Sequence, residues 1–481
     1  MSVASHAALD AAGFRPARHR QNPSDRVLTG GRPDLSEARK ALSIAWPLTM
    51  SALVNMGISV TDVVMIAWLG SAALAASAVA SDFYSIIVYI AGGTLAAISP
   101  MIAEARGARR PGDVRRATRQ GFWVATVIAF PGAAVIWHAD IVLSGIGVHP
   151  DIVETGMPYA RMMALTFIPM TYMQVWRHFL AAHGRTRVML AVMALALPTN
   201  AVMNYALMFG AWGFPAMGLA GAGASSLGVT ALILAGLTGY VLRDTKLRRY
   251  YIFLRIWRPD WKRFADILRV GVPIGLTSLG ETGVFLFTTV LMGVFGPEVV
   301  AAHAITLRMA GILYAPAVGL GQAVTVRVAY RIGEGNRAGA TNAVLTGTML
   351  ALASAAGLFG FLMAARGWIP GWFVDPSAAS AGTVTAMALS MLFCLALLQI
   401  SENSAVIGTA ILRGFKDTGR PMVLQLTGRW AIGFASGAAL AFPAGLGGIG
   451  LWMGLVIGSA ATAGMMWTRI WSFRFAAAPA E

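Results

Sequence analysis

Apolar residues in this chain gather into long runs of about 20 residues, the length an α-helix needs to cross the hydrocarbon core of a bilayer. Twelve such runs, bounded by charges, Gly or Pro, lie near 41–69, 75–103, 121–144, 156–181, 188–210, 217–241, 267–296, 301–329, 341–364, 379–411, 421–443 and 447–471. Read as helices, they predict an all-α polytopic membrane protein with twelve transmembrane helices.

The polar connections have a pattern of their own. Those after the second, fourth, sixth, eighth and tenth runs are basic: Arg106, Arg109, Arg110, Arg115, Arg116 and Arg119; Arg185 and Arg187; the stretch from Arg243 through Arg263; Arg331 and Arg337; and Arg413, Lys416 and Arg420. The alternate connections are short and neutral or acidic, with Asp151, Glu154, Glu298 and Asp375, and Arg366 as the one exception. Because basic loops stay on the cytoplasmic side, both termini are expected there. The tail before the first run, with Arg15, Arg18, Arg20, Arg26, Arg32, Arg39 and Lys40, has no apolar core placed early enough for a cleaved signal peptide and is expected to be disordered.

The connection at 243–264, RDTKLRRYYIFLRIWRPDWKRF, mixes basic and aromatic residues, as an amphipathic segment on an anionic leaflet would. It also halves the chain. Displacing the sequence against itself by 226 positions, without a gap, brings Pro47 onto Pro273, Gly57 onto Gly283, Gly70 onto Gly296, Ala75-Ala76 onto Ala301-Ala302, Gly93 onto Gly319, Gly107 onto Gly333 and Gly121 onto Gly347. An even number of spans separates the copies, so they share one membrane orientation and are related by an axis along the membrane normal. The expected organisation is a basic tail at 1–40, a six-helix N-lobe at 41–242, the connector at 243–264, a six-helix C-lobe at 265–472 and a tail at 473–481, with a cleft between the lobes.

Composition narrows the class. Hydrophobic residues make up 57% and charged residues 12%, with a mean hydropathy of +0.66. That charge fraction is about half that of a soluble domain, which excludes an ordinary soluble enzyme. The formal charge of +16 is accounted for by the loops and tail, so no nucleic-acid partner is expected; the partner is the lipid bilayer. A single cysteine, Cys394, excludes a disulfide framework and a CxxC metal site. The chain has no Walker motif for ATP, and neither HExxH nor GxSxG.

Carboxylates inside the spans are the candidate chemistry, since each costs about 2.5–3.5 kcal/mol to insert unless a partner, water or ion offsets it. Glu281 lies in VPIGLTSLGETGVFLFTTVLMGVFG, with Thr288 one heptad on. Its repeat counterpart is Asn55, which shares a helix face with Asp62 seven residues later. Glu402, in LLQISENSAVIGTAILRGF, has Gln399, Ser401, Asn403 and Ser404 around it, an oxygen-rich setting for a hard cation such as sodium or for a proton. Two acids close together in low dielectric would share a cation or hold a proton. Asn200 and Asn204, four residues apart after Pro198, are expected to join Asp62 in a second polar pocket, with Ser226 of the Ser225-Ser226 pair supporting it. Asp82, its repeat partner Arg308, Arg161 and Arg429 are read as structural or interfacial, the last two snorkelling to the membrane surface. The 25 Met and 22 Phe residues suit a soft, adaptable wall.

These residues carry a resemblance. TDVVMIAWLG with Asp62, AAHAITLR, SLGETGVF with Glu281, and the run from Gln399 and Glu402 to ILRGFKDTGRPM are similar to the MATE family of multidrug and toxin extrusion transporters, of the NorM type, over roughly residues 40 to 470. RHFLAAHGRTRVM in the first half is a degenerate copy of the last motif, with Arg177 and Phe179 where Arg413 and Phe415 stand. The resemblance implies an antiporter whose two lobes open alternately, exporting organic cations as sodium or protons enter. It implies that Glu281 and Glu402 are coupling-ion carboxylates of the C-lobe, and that Asp62 with Asn200 and Asn204 forms an N-lobe site that takes a proton. Two departures alter the C-lobe site: Glu402 stands where the NorM type carries Asp, and Leu398 where an aromatic is expected. No cofactor beyond the coupling ion is implied.

The expected function is therefore a cation-coupled drug exporter, acting as a monomer in a bacterial cytoplasmic membrane, a source suggested by the Ala-, Gly- and Arg-rich composition. A lipid-linked precursor flippase is the first alternative, for which the spans offer little cationic lining. A channel or an intramembrane enzyme is the second, disfavoured by the repeat and by the lack of a nucleophile or metal constellation.

Overall fold

The computed structural model describes residues 33–475 apart from 255 and 378, and among these it contains helices and turns but no strand. Twelve long helices follow one another: α1 Leu35–Ala67, α2 Ser71–Gly107, α3 Pro111–Trp137, α4 Pro150–Ala182, α5 Thr186–Phe209, α6 Leu219–Arg243, α7 Trp261–Met292, α8 Pro297–Gly333, α9 Arg337–Ala365, α10 Ala381–Gly414, α11 spanning 419–441, and α12 Gly447–Phe475. Ten of them are long and apolar enough to cross a membrane. The other two are α4, which carries Asp151, Glu154, Arg161 and Arg177, and α11, whose α-helical turns are interrupted by a π-helical stretch at Thr427–Phe434.

The helices match the apolar runs in order, and most of them begin several residues earlier. Helix α1 begins at Leu35, earlier than predicted, because the Asp34 carboxylate accepts the Ser36 amide at 2.8 Å and caps it. Arg39 and Lys40, placed in the tail by sequence, are therefore helical. The rest of the basic tail, including Arg15, Arg18, Arg20, Arg26 and Arg32, lies outside the described residues, as do 476–481 of the C-terminal tail and position 255 in the connector.

The internal repeat reappears as matched contacts between the lobes. A β-carbon on Gly107 would overlap the Tyr330 carbonyl, and one on Gly333 would overlap the carbonyl of Glu104, the repeat counterpart of Tyr330. Gly93 lies against Gly275, and Gly319 against Thr49, the counterpart of Gly275. Each contact thus occurs twice about a pseudo-twofold axis, as a parallel repeat requires. Both pairs bring backbones closer than any side chain would permit, the arrangement small residues allow between membrane helices.

The Gly93 and Gly319 approaches join the N-terminal halves of α7 and α1 to the C-terminal halves of α2 and α8, and the Gly107 and Gly333 approaches join the C-terminal ends of α2 and α8 to each other, all at the end of the molecule carrying the basic loops. Ion pairs reinforce that end. The Arg327 guanidinium of α8 donates to Glu37 of α1 through Nε at 3.0 Å and Nη2 at 2.7 Å, and Arg331 also pairs with Glu37. Lys416, following α10, pairs with Glu104 of α2.

The connector folds back on the N-lobe. Asp244 caps a short helix, Thr245–Arg248, by accepting the Lys246 amide at 2.8 Å and that of Leu247 at 3.1 Å. Tyr250 and Ile252 are buried, and the Phe253 ring packs 6.0 Å from Phe122 and 5.9 Å from Trp176. Tyr251, Leu254, Trp257 and Trp261 stay exposed, so the segment has one apolar face against protein and an aromatic face directed outward.

Candidate functional site

The N-lobe site forms where α1, α4 and α5 meet. Asp62 presents its Oδ1 to two amides of α5: Asn204 Nδ2 donates at 2.7 Å and Asn200 Nδ2 at 3.0 Å. Their four-residue spacing puts both on one helical face, and both are fully buried. The Ser225 hydroxyl of α6 donates to the Asn200 carbonyl at 3.4 Å, so Ser225, not the predicted Ser226, supports this pocket. Buried Tyr159 of α4 lies within electrostatic reach of Asp62 and pairs with the Ser81 hydroxyl at 3.2 Å. Asp62 therefore has neutral donors around it and, among the described residues, no ion-pair partner. Asn55, expected on the same face, is exposed and takes part in none of the described hydrogen bonds.

The C-lobe site is built differently. Glu281 of α7 and Glu402 of α10 do come together, and a guanidinium stands between them. Arg429 Nη2 donates to Glu402 Oε1 at 2.6 Å and lies 3.8 Å from Glu281 Oε1. Ser459 of α12 donates to Glu402 Oε2 at 2.8 Å, and Gln425 of α11 donates to Glu281. Tyr314 of α8 and Arg413 of α10 also face Glu281 electrostatically. Every helix of the C-lobe except α9 contributes to this network.

Arg429 corrects the sequence-based expectation that it snorkels: only 4% of it is exposed. Its position depends on the π-helical stretch of α11, where the wider turn shifts the register by which side chains face α10. The indole of Trp430 donates to the Gly280 carbonyl at 3.1 Å, holding α7 against α11 beside the acids.

Gln399 and Asn403 form none of the described hydrogen bonds to Glu402. Asn403 Nδ2 donates to the Gln399 carbonyl at 2.8 Å along their own helix. Gln399, three residues before Glu402, stays on its side of the helix, and the Asn403 Oδ1 is buried with no hydrogen-bond partner among the described residues. The remaining intramembrane charges stay apart from both sites. Asp82 and Arg308 are exposed and form no ion pair with each other, while exposed Arg161 stacks over Trp137 at 5.7 Å. Thr288 is buried and donates to the Val284 carbonyl of its own helix at 2.8 Å.

The MatE family profile matches residues 47–206 and again 273–436, the two copies starting at the repeat-equivalent Pro47 and Pro273. The chain belongs to the MatE family of membrane transporters. As a MatE protein it is a multi-pass transporter and not an enzyme. It is 36% identical over 448 residues to a probable multidrug resistance protein NorM of Brucella suis biovar 1 (strain 1330), covering 91% of this chain and 95% of that one. It is likewise 36% identical to a probable multidrug resistance protein NorM of Mesorhizobium japonicum (strain LMG 29417 / CECT 9101 / MAFF 303099), covering 92% and 95%. Its fold matches a structure described as the outward-facing conformation of a multidrug resistance MATE family transporter of the MOP superfamily, with a TM-score of 0.82 at 20% identity over 95% of this chain and 100% of that one. The resemblance read from the motifs around Asp62, Glu281 and Glu402 and the twelve-helix MatE fold are thus borne out.

Proposed function

We propose that this MatE protein is a multidrug efflux transporter that exports small organic cations in exchange for an entering coupling cation, sodium or proton. The observation that carries this reading is one buried acid site in each lobe, on two lobes whose close approaches lie at the basic-loop end. The names of the Brucella and Mesorhizobium relatives support the drug-resistance role.

By the positive-inside rule the basic-loop end faces the cytoplasm, so the conformation in hand is closed inward. Alternating access then consists of parting the Gly93–Gly275, Gly319–Thr49, Gly107–Tyr330 and Gly333–Glu104 approaches while the opposite end closes. A coupling cation that neutralises Asp62 or the C-lobe acids binds the two lobe arrangements unequally and so shifts their populations, as substrate does in the other direction. The protein acts as a monomer in a bacterial inner membrane with both termini cytoplasmic.

The test is uptake of a fluorescent organic cation into proteoliposomes under an imposed cation gradient. The expected result is saturable, gradient-dependent transport that Asp62→Asn lowers by about 100-fold. Steady ohmic current without counterflow would point to a channel instead.

A further inference from the structure

The C-lobe acids already hold a positive charge. Glu281 and Glu402 come from different helices and meet across Arg429, whose Nη2 lies 2.6 Å from one carboxylate and 3.8 Å from the other. The remaining valences are taken by neutral donors, Ser459 on Glu402 at 2.8 Å and Gln425 on Glu281. We propose that Arg429 is a tethered cation that occupies this acid pair and excludes sodium from it, making efflux independent of a sodium gradient. This rests on the efflux reading above and deepens it by assigning the coupling-ion specificity to one side chain.

Three observations carry the argument. A hard cation gathers about six to eight oxygens at about 2.3–2.6 Å, as calcium does, yet the groups bonded to the two acids, Ser459, Gln425 and Arg429, each present a hydrogen to them. Arg413 of α10 adds a second positive field at Glu281, and Tyr314 of α8 a hydroxyl beside it. Finally, a guanidinium does not deprotonate in proteins. Sodium would therefore have to displace a charge that is 4% exposed and leave it in low dielectric without its partners.

Arg429 Nε is buried and has no hydrogen-bond partner among the described residues. The contacts to both acids run through Nη2, with Nε a spare donor on the same group. That spare donor gives Arg429 room to follow either acid as the lobe rearranges, where a free ion would exchange with solvent.

The experiment uses the full chain. Purified protein is assayed for saturable binding of radioactive sodium, and proteoliposomes are assayed for ethidium transport under a pH gradient, with and without an added sodium gradient. A coupling ion changes its partner's affinity by about 5-fold or more. The expected results are no saturable sodium binding and a sodium effect on transport below about twofold, well short of that coupling. Saturable sodium binding, or transport driven by sodium at equal pH, overturns the proposal while leaving the efflux reading intact. Failure of ethidium transport under either gradient overturns the efflux reading, and the binding arm then still decides the occupancy of the acid pair. Arg429→Gln is expected to gain sodium binding and Arg429→Lys to remain without it. If Arg429→Gln fails to fold, the wild-type binding measurement stands as the decisive one.

Discussion

Arg429 and Glu402 form a buried ion pair at 2.6 Å between α11 and α10, with 4% and 5% of the two residues exposed. Breaking such a pair from one side strands the other charge, at a cost of about 3–5 kcal/mol, whereas removing both charges together is close to neutral. Arg429→Gln and Glu402→Gln alone are expected to lower thermal stability in detergent markedly. The double variant is expected to recover most of it, which a double-mutant cycle of melting temperatures measures.

Asp62 is held by neutral amides, so its contribution is to transport more than to stability. Asp62→Asn keeps the hydrogen-bonding shape of the pocket and removes its charge. The expected outcome is normal membrane expression with transport reduced by about 100-fold, within the range seen when a proton-handling group is lost. Asn204→Ala is expected to produce a milder loss, because Asn200 still donates to Asp62 at 3.0 Å.

Gly107 and Gly333 let α2 and α8 touch through their backbones at the basic-loop end. A valine at Gly107 has no room in this closed arrangement, since its β-carbon would meet the Tyr330 carbonyl. Gly107→Val is expected to shift the population toward conformations parted at that end. Spin-label distances across the ends of α2 and α8 would record the shift, with buried Cys394 first replaced so that labelling stays site-specific.

Glu37 joins the lobes through Arg327 and Arg331. Glu37→Gln is expected to destabilise the same closed end and to couple with Arg327→Gln by about 0.5–3 kcal/mol, the range for residues in direct contact. Equal distances in the spin-label measurement before and after Glu37→Gln would show that the glycine contacts alone hold the closure.

His183, just beyond α4, is held neutral. Burial foremost, with the Arg106 guanidinium beside it, lowers its pKa to about 3, and its Nδ1 lies 2.7 Å from the Phe179 carbonyl. The unfolded chain binds this proton near pH 6.5, so between the two values the unfolded state carries more protons and stability falls as pH falls. Melting temperature is expected to decline below about pH 6.5, and His183→Gln to flatten that decline.

Class, helix order, repeat and acids can all be read along the chain. Span length and hydropathy follow from the bilayer's thickness, loop charge follows from the orientation rule, and a gapless displacement needs no coordinates; hence Gly107 and Gly333 could be paired before their contact was seen. Pairing Asp62 with Asn200 and Asn204 was also legible, because four-residue spacing places two amides on one face. Contacts between helices are a different matter, because they depend on packing. Arg429 reads as an interfacial charge along the chain, and it becomes the centre of the C-lobe site because a π-helical stretch turns it inward onto residues 27 and 148 positions away. Ser225, and not Ser226, reaches the Asn200 carbonyl for the same reason: rotation about a helix axis is set by packing against neighbours, and composition along the chain does not encode it.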